Sequence, residues 1–480
     1  MTIARRLFVL LALTASILAV QSADASNSPN MRIDYSLSDT TSGRTHSDIA
    51  FWGNIAVAGS YDGFRVFNTD THQLLVSFLC RGPQNDVSLW QHNGRLLLFT
   101  SADTPQFNGD TVCSPNRTSD RAVSDPICSP DPVHVCFEGI RIFDLTDPTS
   151  PQLIKAVYTD CGSHTHTLVP DLANNRVLLY VSSYPTSNGP RCQSPHAKIS
   201  IVAVPLDAPE TASVIATPTI QAPPFIGVGC HDITVFMAIH KAVASCQSEG
   251  QIWDISDPAN PDTLHAVHIP QPPDGVSFWH SAEFTWDGQY VVFDDESLGN
   301  DTCQPTNKGH IHIYRVSDAH LMSSYMIPRP QTQYCSVHNG NLIPVNGRYL
   351  LVAAWYFGGT SVIDLTDPTN PHEVAYYDPE GSPTPGEAWS SYWYNGKIYA
   401  NDIRRGQDVY NIVLPSTQYG ATFTHLNAQT QEDLLPSMSA TPSLSQLIGH
   451  RRALTGRWAR QERHRRVTAR GRASLSRARG

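Results

Sequence analysis

Apolar and polar residues alternate in short runs along most of the chain, the period-two pattern of half-buried β-strands. Three of these runs are nearly identical: GIRIFDLTDPTSPQLI (139–154), GQIWDISDPANPDTL (250–264) and GTSVIDLTDPTNPHEV (359–374). Each is an alternating strand, then Asp-Pro-x-x-Pro, then a second short strand. Proline cannot donate to a sheet ladder and aspartate bonds its own backbone, so the motif forces a turn between strands. Asp144, Asp254 and Asp364, which precede these turns, lie 110 residues apart each time. That spacing predicts one degenerate copy between each pair.

Degenerate copies do occur, as KISIVAVPLDAPETASVI after Ala197 and GHIHIYRVSDAHLMSSY from Gly309. GFRVFNTDTHQLLVSF from Gly63 and GQDVYNIVL from Gly406 bring the count to seven, six of them opened by glycine. A glycine there fits a tight turn or a close backbone approach. A paired strand signal precedes each copy, so each unit reads as four antiparallel strands. The expected fold is all-β, a seven-bladed β-propeller over residues 26–430. The last copy is one strand short, and Met31–Leu37 is expected to supply that strand and so close the last blade.

Composition changes this picture only at the two ends. Residues 1–25 read as a signal peptide cleaved after Ala25: Arg5 and Arg6, an apolar stretch, then Ala23-Asp24-Ala25. Among 480 residues, 35 Pro and 30 Gly favour many short strands over long helices, and no other segment approaches transmembrane length. Residues 431–480 read as a disordered tail, Arg-rich from 450, with eleven Arg against one acid, Glu462. Without residues 1–25 and 450–480, 20 basic residues face 41 acidic ones. An acidic body excludes nucleic acid as the partner, while the tail could touch an anionic envelope. The protein is expected to be secreted or envelope-associated, a monomer, with an extracellular ligand or protein as its partner.

The D-[LI]-[ST]-D-P-x-x-P copies resemble the LVIVD-repeat family of secreted bacterial propellers, over about residues 46–430. The resemblance extends to FLCRGPQNDVSLW, DCGSHTHTLVPD, GCHDITVF, FWHSAEF and HNGNLIPV. It implies a propeller and export, and it implies no reaction.

Four consecutive units open their first strand with histidine and a small polar residue: His166-Thr167, His231-Asp232, His280-Ser281 and His338-Asn339. Equivalent strand starts in a propeller form a ring at one mouth, so these imidazoles are expected to converge. Four neutral imidazoles suit Fe, Cu or Zn, and Asp48, Asp86, Asp232 and Asn339 are the expected second shell. The competing reading makes each histidine a peg that satisfies backbone between blades. His164 is assigned to the other side of its strand and ranks as the weaker candidate. The run Asp294-Asp295-Glu296 reads as a solvated loop, and Trp355, Tyr356, Trp389, Tyr392 and Trp393 lie near the mouth or the inner strands.

Ten cysteines in an exported chain are expected to form disulfides. The expected pairs are Cys161–Cys192, Cys230–Cys246 and Cys303–Cys335, with Cys80, Cys113, Cys128 and Cys136 forming two more. No nucleophile elbow, P-loop, GxGxxG or HExxH motif occurs, and no catalytic residue is assigned. Two functions follow. One is an extracellular binding or scaffold module. The other is a metal-dependent enzyme, an oxygenase or hydrolase, with the four histidines as its centre.

Overall fold

A computed structural model describes residues 26–39, 44–107, 136–184, 192–193, 196–221, 229–297, 302–304, 308–331, 333–379, 386–415, 417 and 420–432. The signal peptide expected at 1–25 lies outside these residues, as do Cys113, Cys128 and residues 433–480 of the expected tail, its Arg-rich part included. The described chain is all-β, built as successive antiparallel sheets in a pattern consistent with a β-propeller. Its six sheets hold four, five or, in one case, nine strands. The nine-stranded sheet is two four-strand runs joined by a single parallel bridge, Asn339 to Ser390, with Ser26–Asn27 added at its edge.

The repeated motif produces repeated hydrogen bonds. Asp144, Asp254 and Asp364 each accept the N–H two residues on, at 3.0, 2.9 and 3.0 Å. Asp147, Asp257 and Asp367 of the DPxxP turns do the same at 2.9, 3.1 and 3.0 Å. Two successive Asx turns thus carry the chain from one strand to the next in each copy. Met31–Ser38 pairs antiparallel with Gly406–Ile412, so the N-terminal segment completes the last sheet as its pattern suggests.

The repeat glycines are required by contact as well as by φ. At Gly359, with φ of +73°, an added Cβ would lie 2.3 Å from the Tyr377 carbonyl oxygen. At Gly94, with φ of +80°, the same atom would meet nothing within 4 Å. Gly359→Ala should therefore destabilise by more than about 2 kcal/mol, against about 1 kcal/mol of backbone strain for Gly94→Ala. Denaturant unfolding of the two variants measures the difference, and equal losses would refute the contact argument.

Large side chains fill the space between sheets, with Trp253, Trp279, Trp355 and Trp393 among the largest fully buried. The strands His46–Trp52, Val87–His92, Thr165–Asp171, Ile233–Phe236, Trp279–Phe284, Val337–Ile343 and Ala388–Tyr394 each bring a residue at or near their start to one shared pocket.

Away from that pocket the segment Ala421–Glu432 lies across the same strands. His425–Leu426 pairs with Phe51 and Trp52, and Thr430–Gln431 runs parallel to Val235–Phe236. The Asn427 amide bonds both the N–H (2.7 Å) and the C=O (3.0 Å) of Leu89. Gln431 does the same for Phe284, at 2.9 and 2.7 Å. Thr430 donates to Leu168 O, the Ala421 N–H donates to Pro344 O, and Phe423 exchanges two bonds with the Asn395 amide. Every inner strand is therefore touched, at its middle or far end. Gln431, the first residue of the expected tail, is thus paired in a strand.

Candidate metal centre

The near mouth opens into a small pocket. His231, His280 and His338 line one part of it. Ser47, Asp48, Asp86, Asn339 and Trp389 line another. Each of these residues sits at or just ahead of the start of an inner strand, so one local feature repeated around the pocket brings them together.

The histidines stand in an arc. Ring centroids are 4.4 Å apart from His164 to His231, 3.9 Å from His231 to His280 and 4.0 Å from His280 to His338. Among the described residues two sets of donor atoms lie within 4.8 Å of one another at this mouth: His231, Asp232 and His280, and His280, Glu296 and His338. His280 belongs to both. Its Nδ1 is buried without a hydrogen-bond partner, and its Nε2 lies 3.8 Å from a Glu296 oxygen.

Neighbours fix the tautomers of the outer two. His338 Nδ1 donates to the Trp389 carbonyl at 2.6 Å, which leaves its Nε2 lone pair free. His231 Nδ1 donates to Asp232 Oδ1 at 3.0 Å, so its Nε2 is also an acceptor. That acceptor meets His164 Nε2 at 2.7 Å, and His164 Nε2 in turn lies 2.9 Å from the Tyr184 hydroxyl. Glu296 is held by a 2.6 Å bond from the Tyr356 hydroxyl.

Electrostatics keep the imidazoles neutral. Burial pushes His338 down to about 3 and His280 well below its ordinary value, with His231 and His338 adding to the effect on His280. His231 is lowered by burial and by His164. Burial lifts Glu296 to about 7. Burial also pushes Asp232 up, but His231 beside it brings the net shift below the usual value. Neutral imidazoles are the form that binds metal ions.

His166 does not join them, which corrects the expected ligand set. Its Nδ1 bonds Ser101 Oγ at 2.9 Å, its Nε2 bonds Ser88 Oγ at 2.7 Å, and its backbone N–H donates to Asp86. Both ring nitrogens are used between sheets, so His166 is a peg. His164 reaches the mouth instead, where its Nε2 hydrogen-bonds His231 Nε2. It precedes the strand Thr165–Asp171, so strand alternation does not govern it, and residues two apart share a face in any case.

The expected second shell divides. Asp232 orients His231, whereas Asp48, Asp86 and Asn339 line the pocket, Asp86 accepting from the His166 N–H. Glu296 was misjudged as part of a solvated loop. Asp294 and Asp295 end the buried strand Tyr290–Asp295 and deliver Glu296 to His280. Its place after a strand end, in register with the histidine starts, was the available signal. Trp355, Tyr392 and Trp393 are buried between sheets, while Trp389 faces the pocket.

Disulfides anchor the same segments: Cys161–Cys192, Cys230–Cys246 and Cys303–Cys335. Cys230 is therefore neither ligand nor nucleophile, and Cys80 is also disulfide-bonded.

Burial lowers His166 to about 3. Below about pH 6.5 the unfolded chain binds a proton that the folded one refuses, so stability falls from there toward pH 3. His166→Gln should flatten the acid slope by up to about 1.4 kcal/mol per pH unit between pH 6 and 4. Denaturant melts across that range check it, and unchanged slopes would refute it.

The fold and site together describe an all-β protein of β-propeller type with a histidine–carboxylate cluster at one mouth. No protein-family model matches the chain, and no curated protein matches it. Solved structures do match, among them Raptor from Chaetomium thermophilum, at 13% identity and a TM-score of 0.48. That match covers 82% of this chain and 30% of Raptor, so this chain spans less than a third of that protein. At such identity the likeness says nothing about activity.

Proposed function

We propose that this chain is an exported, seven-bladed propeller of the LVIVD-repeat kind that binds one transition-metal ion at one mouth. The ligands are His231, His280, His338 and Glu296. The observation that carries this reading is the pair of histidine–carboxylate triads sharing His280. The Trp389 carbonyl holds the His338 ring with its Nε2 free, and Asp232 holds the His231 ring. Three imidazoles and one carboxylate suit Fe, Cu or Zn, and bonds of about 2.0–2.2 Å require the arc to tighten slightly around the ion. The seven-blade count treats the nine-stranded sheet as two blades bridged at Asn339. Export rests on the leader read from the sequence and on the three disulfides.

Such an ion offers Lewis-acid or redox chemistry at this pocket. Elemental analysis of the exported protein, made without a histidine tag and offered Fe, Cu and Zn, tests the reading. About one equivalent per chain is expected. A folded protein that takes up none of the three would overturn it and leave a binding or scaffold module.

A further inference from the structure

His231 comes to the metal site with its lone pair already taken. Its Nδ1–H is committed to Asp232 Oδ1 at 3.0 Å, so Nε2 acts as an acceptor, and its partner is His164 Nε2 at 2.7 Å. The hydrogen in that contact therefore belongs to His164. An ion needs the same His231 lone pair, so it can bind there only if His164 withdraws its ring N–H. A second acceptor for that N–H stands within reach. The Tyr184 hydroxyl lies 2.9 Å from the same His164 Nε2, and the two ring centroids are 4.6 Å apart. On its other side the His164 ring is not tied down. Among the described residues its Nδ1 is buried without a hydrogen-bond partner, and Asp103, whose Oδ2 is 3.4 Å away, forms no hydrogen bond with it. The backbone is pinned, because the His164 main-chain N–H donates to Ser182 O at 2.9 Å. Exchange between the two acceptors thus falls to the side chain alone.

We infer that His164 and Tyr184 form a latch that sets how tightly the mouth holds its ion. Before an ion binds, His164 caps the His231 lone pair, which would otherwise be a buried acceptor with no donor. As the ion takes that lone pair, the His164 ring N–H passes to the Tyr184 hydroxyl. The latch rests on the ion reading above and adds what regulates it. His280 and His338 carry no such cap: His280 Nδ1 has no hydrogen-bond partner, and the Trp389 carbonyl leaves His338 Nε2 free. His231 is therefore the ligand that joins last and leaves first. The cap lowers affinity by the strength of about one buried hydrogen bond, roughly three- to tenfold.

Competition for zinc between the full-length exported protein and a graded series of chelators tests the latch. His164→Leu removes the cap and should tighten zinc binding about three- to tenfold. Tyr184→Phe keeps the ring but removes the acceptor that receives the His164 N–H, so it should weaken binding by a similar factor. Damage to packing alone would weaken both, so the opposite signs are the signature. In a His231→Ala protein neither change should move the affinity, because no lone pair is left to cap. Tyr184→Phe preserves the ring's packing, so it reports on the latch even if His164→Leu fails to fold. Zinc held no more tightly by a folded His164→Leu protein, binding unchanged by Tyr184→Phe, or effects that persist without His231 would overturn the latch and leave the ion reading standing. A wild-type protein that takes up no zinc, iron or copper would overturn the ion reading, and the latch with it.

Discussion

His280→Ala is expected to abolish metal binding more completely than any other single change, by roughly 100-fold or more in affinity. The reason lies in the topology of the cluster. His280 is the member common to both triads, so removing it leaves neither with more than one imidazole. His231→Ala spares the set of His280, Glu296 and His338, and His338→Ala spares the set of His231, Asp232 and His280. Each of those should weaken binding by less. The His280 Nδ1 makes no hydrogen bond, so its truncation leaves no partner stranded. His166→Asn provides the contrast, because both ring nitrogens of His166 are bonded to serine hydroxyls between sheets. It should keep the full equivalent of metal and lose stability. Competition with a graded series of chelators measures all four. Loss of metal from the His166 variant with retention in the His280 variant would restore the ligand set expected from the sequence.

The second large effect is on stability, and it concerns the segment Ala421–Glu432. Asn427→Ala leaves the N–H and C=O of Leu89 buried with no partner from the segment, at about 1–3 kcal/mol for each group. The expected loss is therefore about 3 kcal/mol from one side chain that touches no sheet of its own. Gln431→Ala should cost a similar amount through Phe284. The two amides lie on different inner strands, so their losses should add. Deleting residues 420–432 removes both amides together with buried Phe423 and Leu426. Denaturant unfolding of the two point variants and their double is the measurement. Losses below about 0.5 kcal/mol would mean that water replaces the segment at no cost and that its contacts are incidental.

Much of this architecture was legible in the chain because a repeat states the same local physics several times. The DPxxP aspartates make the same Asx bonds in each copy, and Gly359 opens a strand where no Cβ fits. Met31–Ser38 found its place because a unit one strand short leaves an edge to be filled. Those are properties of a few adjacent residues, and sequence records them directly.

The identity of the site residues was a different matter. Period-two logic placed His166 in the pocket and His164 outside it. Yet the strand begins only at Thr165, and the backbone ahead of it turns His164 inward. Glu296 looked like a loop carboxylate because nothing nearby in sequence reveals that Tyr356 and His280 surround it. The segment Ala421–Glu432 carries no alternation at all, since its asparagine and glutamines bond the backbones of strands as much as 338 residues away. What the sequence by itself determined, then, was the repeat, the strands and the neighbourhood in which the histidines gather. Which nitrogen faces which, and which strands the Ala421–Glu432 segment crosses, only the tertiary structure decided, because those contacts depend on residues that share space without sharing sequence.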